Sequence, residues 1–193
     1  SSSWRSFARQ KLVEEIVRQV EADGVGKERA TEYQLFILEL FILAGALGRA
    51  IGDQFPDEYW QQIQRMLEFL SAISNRTGDL AIFGDGDNGQ VVSLPEPTAE
   101  RVCSLLSLGD CQRETAAGSN IRSRLLLWGQ TPESIPMRPV SQPAENLQAF
   151  PHGGYYVLAS DRGGENEVVV VFDAGPLGLA PIYAHGHADA LNF

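Results

Sequence analysis

The chain has 193 residues, of which 25 are acidic and 15 basic, and its formal net charge is −10. Its apolar fraction of 44% and charged fraction of 21% are typical of a globular protein and exclude a disordered or fibrous chain. The acidic balance also disfavours nucleic-acid binding, because proteins of that class present a basic surface to phosphates.

Three helices are predicted in the first part of the chain. Residues 4–22 carry apolar side chains at a 3.6-residue period, which predicts an amphipathic helix. Its apolar residues are Phe7, Leu12, Ile16, Val17 and Val20. A second helix is predicted over 27–51, and its apolar residues cover more than one side, which is typical of an inner helix enclosed by others. Pro56 begins a third helix, with an apolar stripe of Ile63, Met66, Leu67, Leu70 and Ile73.

The sequence predicts neither a membrane span nor an export signal. The apolar stretch from Leu35 to Leu47 is too short to cross a bilayer and contains Glu39, so no membrane span is predicted. The opening residues do not have the pattern of a signal peptide. Further helical segments are predicted near 97–109 and 120–129, and four prolines mark residues 131–146 as a linker.

Beyond this linker the apolar period falls from 3.6 to two. Two strands are predicted around Tyr155 and over residues 168–172, with residues 161–166 as the hairpin turn between them. Helices followed by strands predict an α+β architecture, with a helical part over 1–130 and a β part over 147–193. Because two or three strands cannot bury a face on their own, we expect the chain to be part of a longer protein.

A glycine-rich segment, residues 78–89, follows the third helix. Asp85 and Asp87 have the spacing of the first ligands of a calcium-binding loop. The comparison fails at Gly89, where a ligand is needed, and at Gln90, where the turn needs glycine. We therefore predict a shaped loop at the rim of the helices, and both aspartates are candidates for contacts with a substrate.

Two of the three histidines lie near the end of the chain, in the sequence HGHAD of residues 185–189. His185, His187 and Asp189 form a compact set of groups that transfer protons or bind metals. The apolar run 168–172 comes shortly before them, so a rigid sheet can hold the loop on which they lie. This spacing favours a functional role over a solvated loop.

Four segments resemble, in their order, the heparinase II/III-like polysaccharide lyases. They are residues 23–34 (DGVGKERATEYQ), 84–89 (GDGDNG), 150–155 (FPHGGY) and 185–193 (HGHADALNF). The resemblance spans nearly the whole chain. It implies the last helices of an incomplete (α/α) toroid followed by the first antiparallel strands of a β-sandwich. The family's Asn-His pair on an earlier helix has no match here, in agreement with a chain that is part of a longer protein.

The resemblance implies a lyase that cleaves a uronate-containing glycan by β-elimination. Such a site needs a donor that neutralises the uronate carboxylate, a base and an acid. By the resemblance, Tyr33 is the acid or base and His185 assists it. Tyr33 also fits the apolar face of its helix, so a role in core packing stays an alternative. Glu28 and Arg29, expected in the first turn of the same helix, either line the substrate cleft or cap the helix.

The resemblance also implies a metal and a partner. His187 matches a histidine that binds a structural zinc in some members, with the other ligands expected beyond Phe193. The expected partner is an acidic polysaccharide, and we expect the parent protein in the periplasm or outside the cell. The charge of −10 argues against heparin itself, and a sparsely charged exopolysaccharide or an alginate-like uronate fits equally well.

Two interpretations from other classes remain. Residues 168–189 also resemble the metallo-β-lactamase pattern, in which His185, His187 and Asp189 hold zinc for hydrolysis. Ala190 stands where that pattern needs a further histidine, and the predicted helices stand where that fold needs strands. The third interpretation is a non-catalytic glycan-binding or interaction module. It is favoured for the isolated chain, which lacks the Asn-His pair and is expected to be inactive.

Overall fold

The computed structural model describes residues 2–86, 89, 91, 97–108, 129–130, 135–138, 140, 146–187 and 191–192. Its helices are α1 (Ser2–Gln19), α2 (Thr31–Ala50), α3 (Asp57–Ile73) and α4 (Thr98–Leu106). Its strands are β1 (Leu147–Phe150), β2 (Tyr155–Ser160), β3 (Val168–Asp173) and β4 (Leu191–Asn192), antiparallel in the order β1-β2-β3-β4. A helical part followed by a sheet confirms the predicted α+β class. The helix predicted over 120–129 and most of the predicted linker lie outside the described residues.

The third helix agrees with its prediction. Pro56 precedes α3, where its missing N–H costs no helical hydrogen bond, and Asp57 and Glu58 place negative charge at the helix N-terminus. The predicted stripe is buried: Ile63, Met66, Leu67, Leu70 and Ile73. Each such side chain contributes roughly 1.5–3 kcal/mol by leaving water, so α3 anchors the helical core.

The second helix begins later than predicted. It starts at Thr31 because residues 27–30 form a turn, in which the Arg29 amide donates to the Gly26 carbonyl at 3.1 Å. Arg29 has a φ of 59°, in the left-handed region that an α-helix does not use. Glu28 and Arg29 therefore precede α2, and their predicted place in its first turn was wrong.

The prediction of an enclosed second helix was also wrong for the part of the chain that the structure describes. One side of α2 is buried through Leu35, Leu38 and Ile42. Its other side is an exposed apolar stripe, which we call the α2 stripe: Phe36, Leu40, Leu47 and Ile51. In α1, likewise, Ile16 is buried while two residues of the predicted stripe, Phe7 and Val17, are exposed. Both helices lie at an edge of the helical part.

Helix α2 is long and apolar enough to cross a membrane by length and composition alone. The apolar stretch from Leu35 to Leu47, considered without its neighbours, was predicted to be too short. The helix nevertheless packs in the protein core and contains Glu39. The Glu39 carboxylate is buried, where it forms an ion pair with Arg101 in α4. A core helix meets the same criterion, so α2 is weak evidence for a membrane span.

The sheet packs its inner face on the C-terminal half of α3. Residues alternate along β2, so that Tyr155 and Val157 are buried while Tyr156 and Leu158 are exposed. The Phe69 ring of α3 contacts the sheet, with its centroid 5.2 Å from that of Tyr155. These aromatic contacts give the helices and the sheet a common apolar core.

Charged and polar contacts bracket this core at both ends of the β2–β3 hairpin. At one end Arg162 donates to the carbonyl of Ala72, within the last turn of α3, and to the carbonyl of Ser74, just after that helix. At the other end an Asp23 carboxylate oxygen accepts the His152 and Gly153 amides at 2.8 and 2.9 Å. The sheet is thereby fixed to the helical part on both sides, and the loop after β3 is brought to the start of α2.

Candidate active site

The loop that carries Asp85 is attached to the start of α2. The Thr31 amide donates to the Phe83 carbonyl at 3.1 Å, and the Phe83 amide donates to the Thr31 hydroxyl at 3.2 Å. Thr31 thus satisfies one of the amides that the first turn of a helix leaves without an intrahelical partner. Because Tyr33 lies two residues further on, the same contact places Tyr33 near Asp85.

Gly84 allows three segments to meet at this point. It has a φ of 69°, and a Cβ at this position would lie 2.3 Å from the His185 carbonyl oxygen and 2.8 Å from that of Arg29. No residue with a side chain fits there without a shift of the backbone. The next residue, Asp85, donates its amide to the His185 carbonyl at 2.8 Å. The segments 28–30, 84–85 and 185–186 are therefore in direct backbone contact.

Tyr33 and His185, the two predicted catalytic residues, are in contact. Their rings stack with centroids 4.1 Å apart and an angle of 22° between the planes. Tyr33 is half-buried, in the first turn of α2, so its ring is not part of the enclosed core. His185 has a φ of 73°, a costly conformation for a residue with a side chain, and such strain is found most often at functional sites.

One carboxylate serves both histidines. Asp85 Oδ2 lies 3.2 Å from His185 Nδ1, and Asp85 Oδ1 lies 2.9 Å from His187 Nε2. The hydrogen bonds from His185 and then His187 hold the pKa of Asp85 below its usual value. Since an ionised carboxylate only accepts, His185 donates to it through Nδ1, and Nε2 is not used in this contact.

Glu28 and Arg29 were predicted either to line the substrate cleft or to cap the helix, and the structure places both residues just before α2. The Arg29 side chain is only 2% exposed. It donates from Nη1 to the Gly153 carbonyl at 2.6 Å and from Nη2 to Glu21 Oε1 at 2.8 Å. Glu28 is half-buried beside the loop that carries His185. The guanidinium group of Arg29 therefore joins the helical part to the turn before β2 and is not available at the protein surface.

The predicted zinc residues do not form a metal site among the residues that the structure describes. No three His, Cys, Asp or Glu side chains converge there. His187 contacts Asp85, and Asp189 and Asp87 lie outside the described residues. The described residues alone therefore supply no complete set of zinc ligands, and the further ligands were expected beyond Phe193. Helices also occupy the region where the metallo-β-lactamase fold needs strands, which removes the basis for that interpretation.

Two features of the site were not predicted from the sequence. The first is that Asp85 contacts both histidines, although its glycine-rich loop did mark it as a candidate. The second is that Asp23 and Arg29 hold the turn at residues 152–153, more than 120 positions along the chain. The only sequence signal for this contact is the D-G-V-G turn that begins at Asp23.

The family is shown by two sequence models that together cover most of the chain. The model of the heparinase II/III N-terminus matches residues 1–100, and the model of the heparinase II/III-like C-terminal domain matches residues 142–193. The chain therefore belongs to the heparinase II/III-like family. No curated protein sequence matches it.

Solved structures agree with the fold. Heparan sulfate lyase HepC from Pedobacter heparinus is 22% identical, with a TM-score of 0.64 over 98% of this chain and 27% of that one. The heparinase III BT4657 gene product, solved with and without methylated lysines, is also 22% identical with a TM-score of 0.64, over 92% of this chain and 25% of that one. The chain thus spans about a quarter of the length of these lyases.

Proposed function

We propose that the protein containing this chain is a polysaccharide lyase that cleaves a uronate-containing acidic glycan by β-elimination. The observation that carries the proposal is the stack of Tyr33 on His185, at 4.1 Å, between the helical part and the loop after β3. Two groups able to transfer protons meet there from different parts of the fold. Membership of the heparinase II/III-like family supports the same chemistry.

The proposed reaction breaks the bond between C4 of the uronate and its glycosidic oxygen O4. A base removes the C5 proton, the electron pair of the C5–H bond forms the C4=C5 double bond, and the C4–O4 pair leaves with O4. An acid then protonates O4. Tyr33 is the proposed acid, and as phenolate it serves as the base. The products are one unsaturated uronate end and one new hydroxyl end, with no water consumed.

His185 assists in this proposal by making the C5 proton more acidic. The uronate carboxylate must lose its effective charge before C5 releases its proton, and a hydrogen bond from an imidazole does this. The donor role requires the imidazolium form of His185, in which Nδ1 donates to Asp85 at 3.2 Å and Nε2 also carries a proton, which it donates to the uronate carboxylate. The stack on Tyr33 holds the two groups at a fixed distance, and such positioning lowers the barrier of a reaction that needs both.

The proposed substrate is an acidic polysaccharide, either a glycosaminoglycan or an alginate-like uronate. The solved relatives carry the names heparan sulfate lyase and heparinase III. This chain has a charge of −10, so the cations that a dense anionic glycan requires must come from outside it. We propose Asp85 and Glu28, at the edge of the site, as the residues nearest the sugar hydroxyls, with Asp87 on the same loop.

The test is Tyr33→Phe in a full-length polypeptide that contains this chain. Phenylalanine keeps the ring and its stack on His185 but removes the hydroxyl group. If the hydroxyl is the acid or base, kcat falls by roughly 10²-fold or more while the folded structure is kept. Turnover is measured by the ultraviolet absorbance of the unsaturated product.

Tyr156→Phe is the matched control. Tyr156 lies on the face of the sheet that points away from the helices and from the Tyr33–His185 pair, so the same chemical change there leaves kcat unchanged. Equal activity of Tyr33→Phe and Tyr156→Phe would refute the role of Tyr33. The isolated 193-residue chain, which lacks a match to the family's Asn-His pair, is expected to give no product in the same assay.

A further inference from the structure

Arg29 lies where the helical part, the sheet and the site loop meet. Its guanidinium group donates to the Gly153 carbonyl, in the turn before β2, and to Glu21, just after α1. The side chain is 2% exposed, and the residue precedes Tyr33 by only four positions. Because this cation is buried and joins the two parts close to Tyr33, its removal has larger structural effects than the loss of a surface ion pair.

The turn that Arg29 holds is itself packed against the loop that carries His185. A Cβ on Gly175 would lie 2.4 Å from the Gly153 carbonyl oxygen, and the Ala174 amide donates to the Gly154 carbonyl at 2.9 Å. Gly175 begins the segment 175–187, which ends at the two histidines. Gly153 is therefore in contact with the start of the segment that carries His185.

The backbone of Arg29 contacts the same loop directly. A Cβ on Gly186 would lie 3.0 Å from the Arg29 Cβ, and one on Gly84 would lie 2.8 Å from the Arg29 carbonyl oxygen. The left-handed φ of 59° at Arg29 makes these approaches possible at a conformational cost. The guanidinium contacts hold the residue in this conformation.

We infer that Arg29 is a positioning residue that holds Tyr33 and His185 in register. Its guanidinium group fixes the turn before β2, its backbone fixes the loops of Gly84 and Gly186, and α2 begins two residues later. Arg29 does not touch the substrate, since its side chain is enclosed by protein. That Arg29 affects catalysis rests on the proposed function. That Arg29 holds the Tyr33–His185 stack in place does not.

The experiment measures the Tyr33–His185 stack in the 193-residue chain by nuclear magnetic resonance. The His185 ring proton shift reports on the stacked Tyr33 ring and is read at about pH 8.5, where an ordinary histidine is neutral. Tyr33→Leu supplies the shift of the unstacked ring, and His185→Gln assigns the signal. In Arg29→Gln, the His185 shift is expected to move most of the way to the Tyr33→Leu value.

Arg162→Gln is the matched control. Arg162 is also a largely buried arginine that joins the sheet to the helical part, but at the opposite end of the β2–β3 hairpin. Arg162→Gln is expected to lower the free energy of unfolding and to leave the His185 shift at the wild-type value. Arg29→Lys keeps the charge but lacks the planar fork that reaches two acceptors, so it is expected to give an intermediate shift. If Arg29→Gln does not fold, Arg29→Lys decides the test.

A wild-type His185 shift in the folded Arg29 variants would overturn the inference. An equal shift in Arg162→Gln would also overturn it, because general loosening would then explain both results. Neither outcome depends on lyase activity. A failure of this inference is therefore distinct from a failure of the proposed function, which the Tyr33→Phe assay detects.

Discussion

Asp85 divides its carboxylate between two histidines, with one oxygen for His185 and the other for His187. This arrangement keeps a proton on Nδ1 of His185 and fixes the orientation of its ring, and a histidine needs both in proton transfer. Asp85 was predicted as a residue that contacts the substrate. Its position beside both rings adds a second role, the orientation of His185, and the two roles have different kinetic consequences.

Asp85→Asn separates these roles. The amide has one acceptor oxygen and one donor group, so it cannot accept from both rings. Loss of a hydrogen bond to a charged group costs about 1.5–3 kcal/mol, which predicts a fall in kcat of roughly ten- to hundredfold. The measurement is steady-state kinetics in a full-length polypeptide that contains the chain.

Asp79→Asn serves as the control for Asp85→Asn, because Asp79 is paired with Asn75 and Thr77 away from the histidines. That variant is expected to keep the wild-type kcat. A rise in KM with unchanged kcat in Asp85→Asn would show that the carboxylate binds the substrate and does not orient His185.

The residues of the site could be predicted only where a local pattern marked them. Tyr33 and His185 were found because each lies in a short motif shared with the family. The pairing of Asp85 with His185 was not found, because 100 positions separate them and no sequence period connects them. Arg29 was found as a site residue, but its burial depends on Gly153, in a turn that the sequence alone does not place beside it.

The apolar period predicted the helices and the buried stripe of α3, but it did not predict which side of α2 is covered. Leu38 and Leu40 are both leucines of α2, yet Leu38 is buried and Leu40 is 40% exposed. The difference comes from the neighbours of the helix, which a one-dimensional pattern does not contain. The start of α2 was misplaced for a related reason, since the left-handed turn at Arg29 has no glycine to mark it.

The outer face of the sheet is apolar and exposed, which predicts self-association of the isolated chain. Four side chains share this face: Tyr156, Leu158, Phe172 and Leu191. A contiguous apolar face of this kind is normally covered by a second layer, as the expected β-sandwich would provide. The double variant Leu158→Ser and Phe172→Ser is expected to reduce association in sedimentation experiments.

Val17→Ser is a control for this prediction, because Val17 is 67% exposed on α1, away from the sheet. It removes an exposed apolar side chain without changing the face of the sheet. Association that persists unchanged in the double variant, or falls equally in Val17→Ser, would contradict the assignment of the sheet as the associating surface.

At the scale of the whole molecule, the helical part and the sheet share one apolar core with polar contacts at both ends. The division into helices and strands was predicted from the change of period. The shared core was not, because Phe69 fits equally well as a residue that faces other helices. Its contacts with Phe150 and Tyr155 place the sheet on α3, and this packing brings His185 to Tyr33.

Zinc binding is expected to depend on the length of the polypeptide. The described residues supply no group of three ligands, so the isolated chain is expected to bind zinc weakly by titration calorimetry. A full-length polypeptide that contains it is expected to bind zinc tightly, and His187→Ala is expected to abolish that binding. Tight stoichiometric binding by the isolated chain, lost in His187→Ala and in Asp189→Ala, would contradict this prediction.

We propose that the site eliminates and does not hydrolyse. The most direct test of this proposal is the cleavage of acidic glycans, heparan sulfate and alginate among them, in water enriched in oxygen-18 by a full-length polypeptide that contains the chain. β-Elimination consumes no water, so each cleavage is predicted to give an unsaturated uronate end with no added oxygen-18. Saturated ends that carry one oxygen-18 atom per cleavage would contradict β-elimination and indicate hydrolysis.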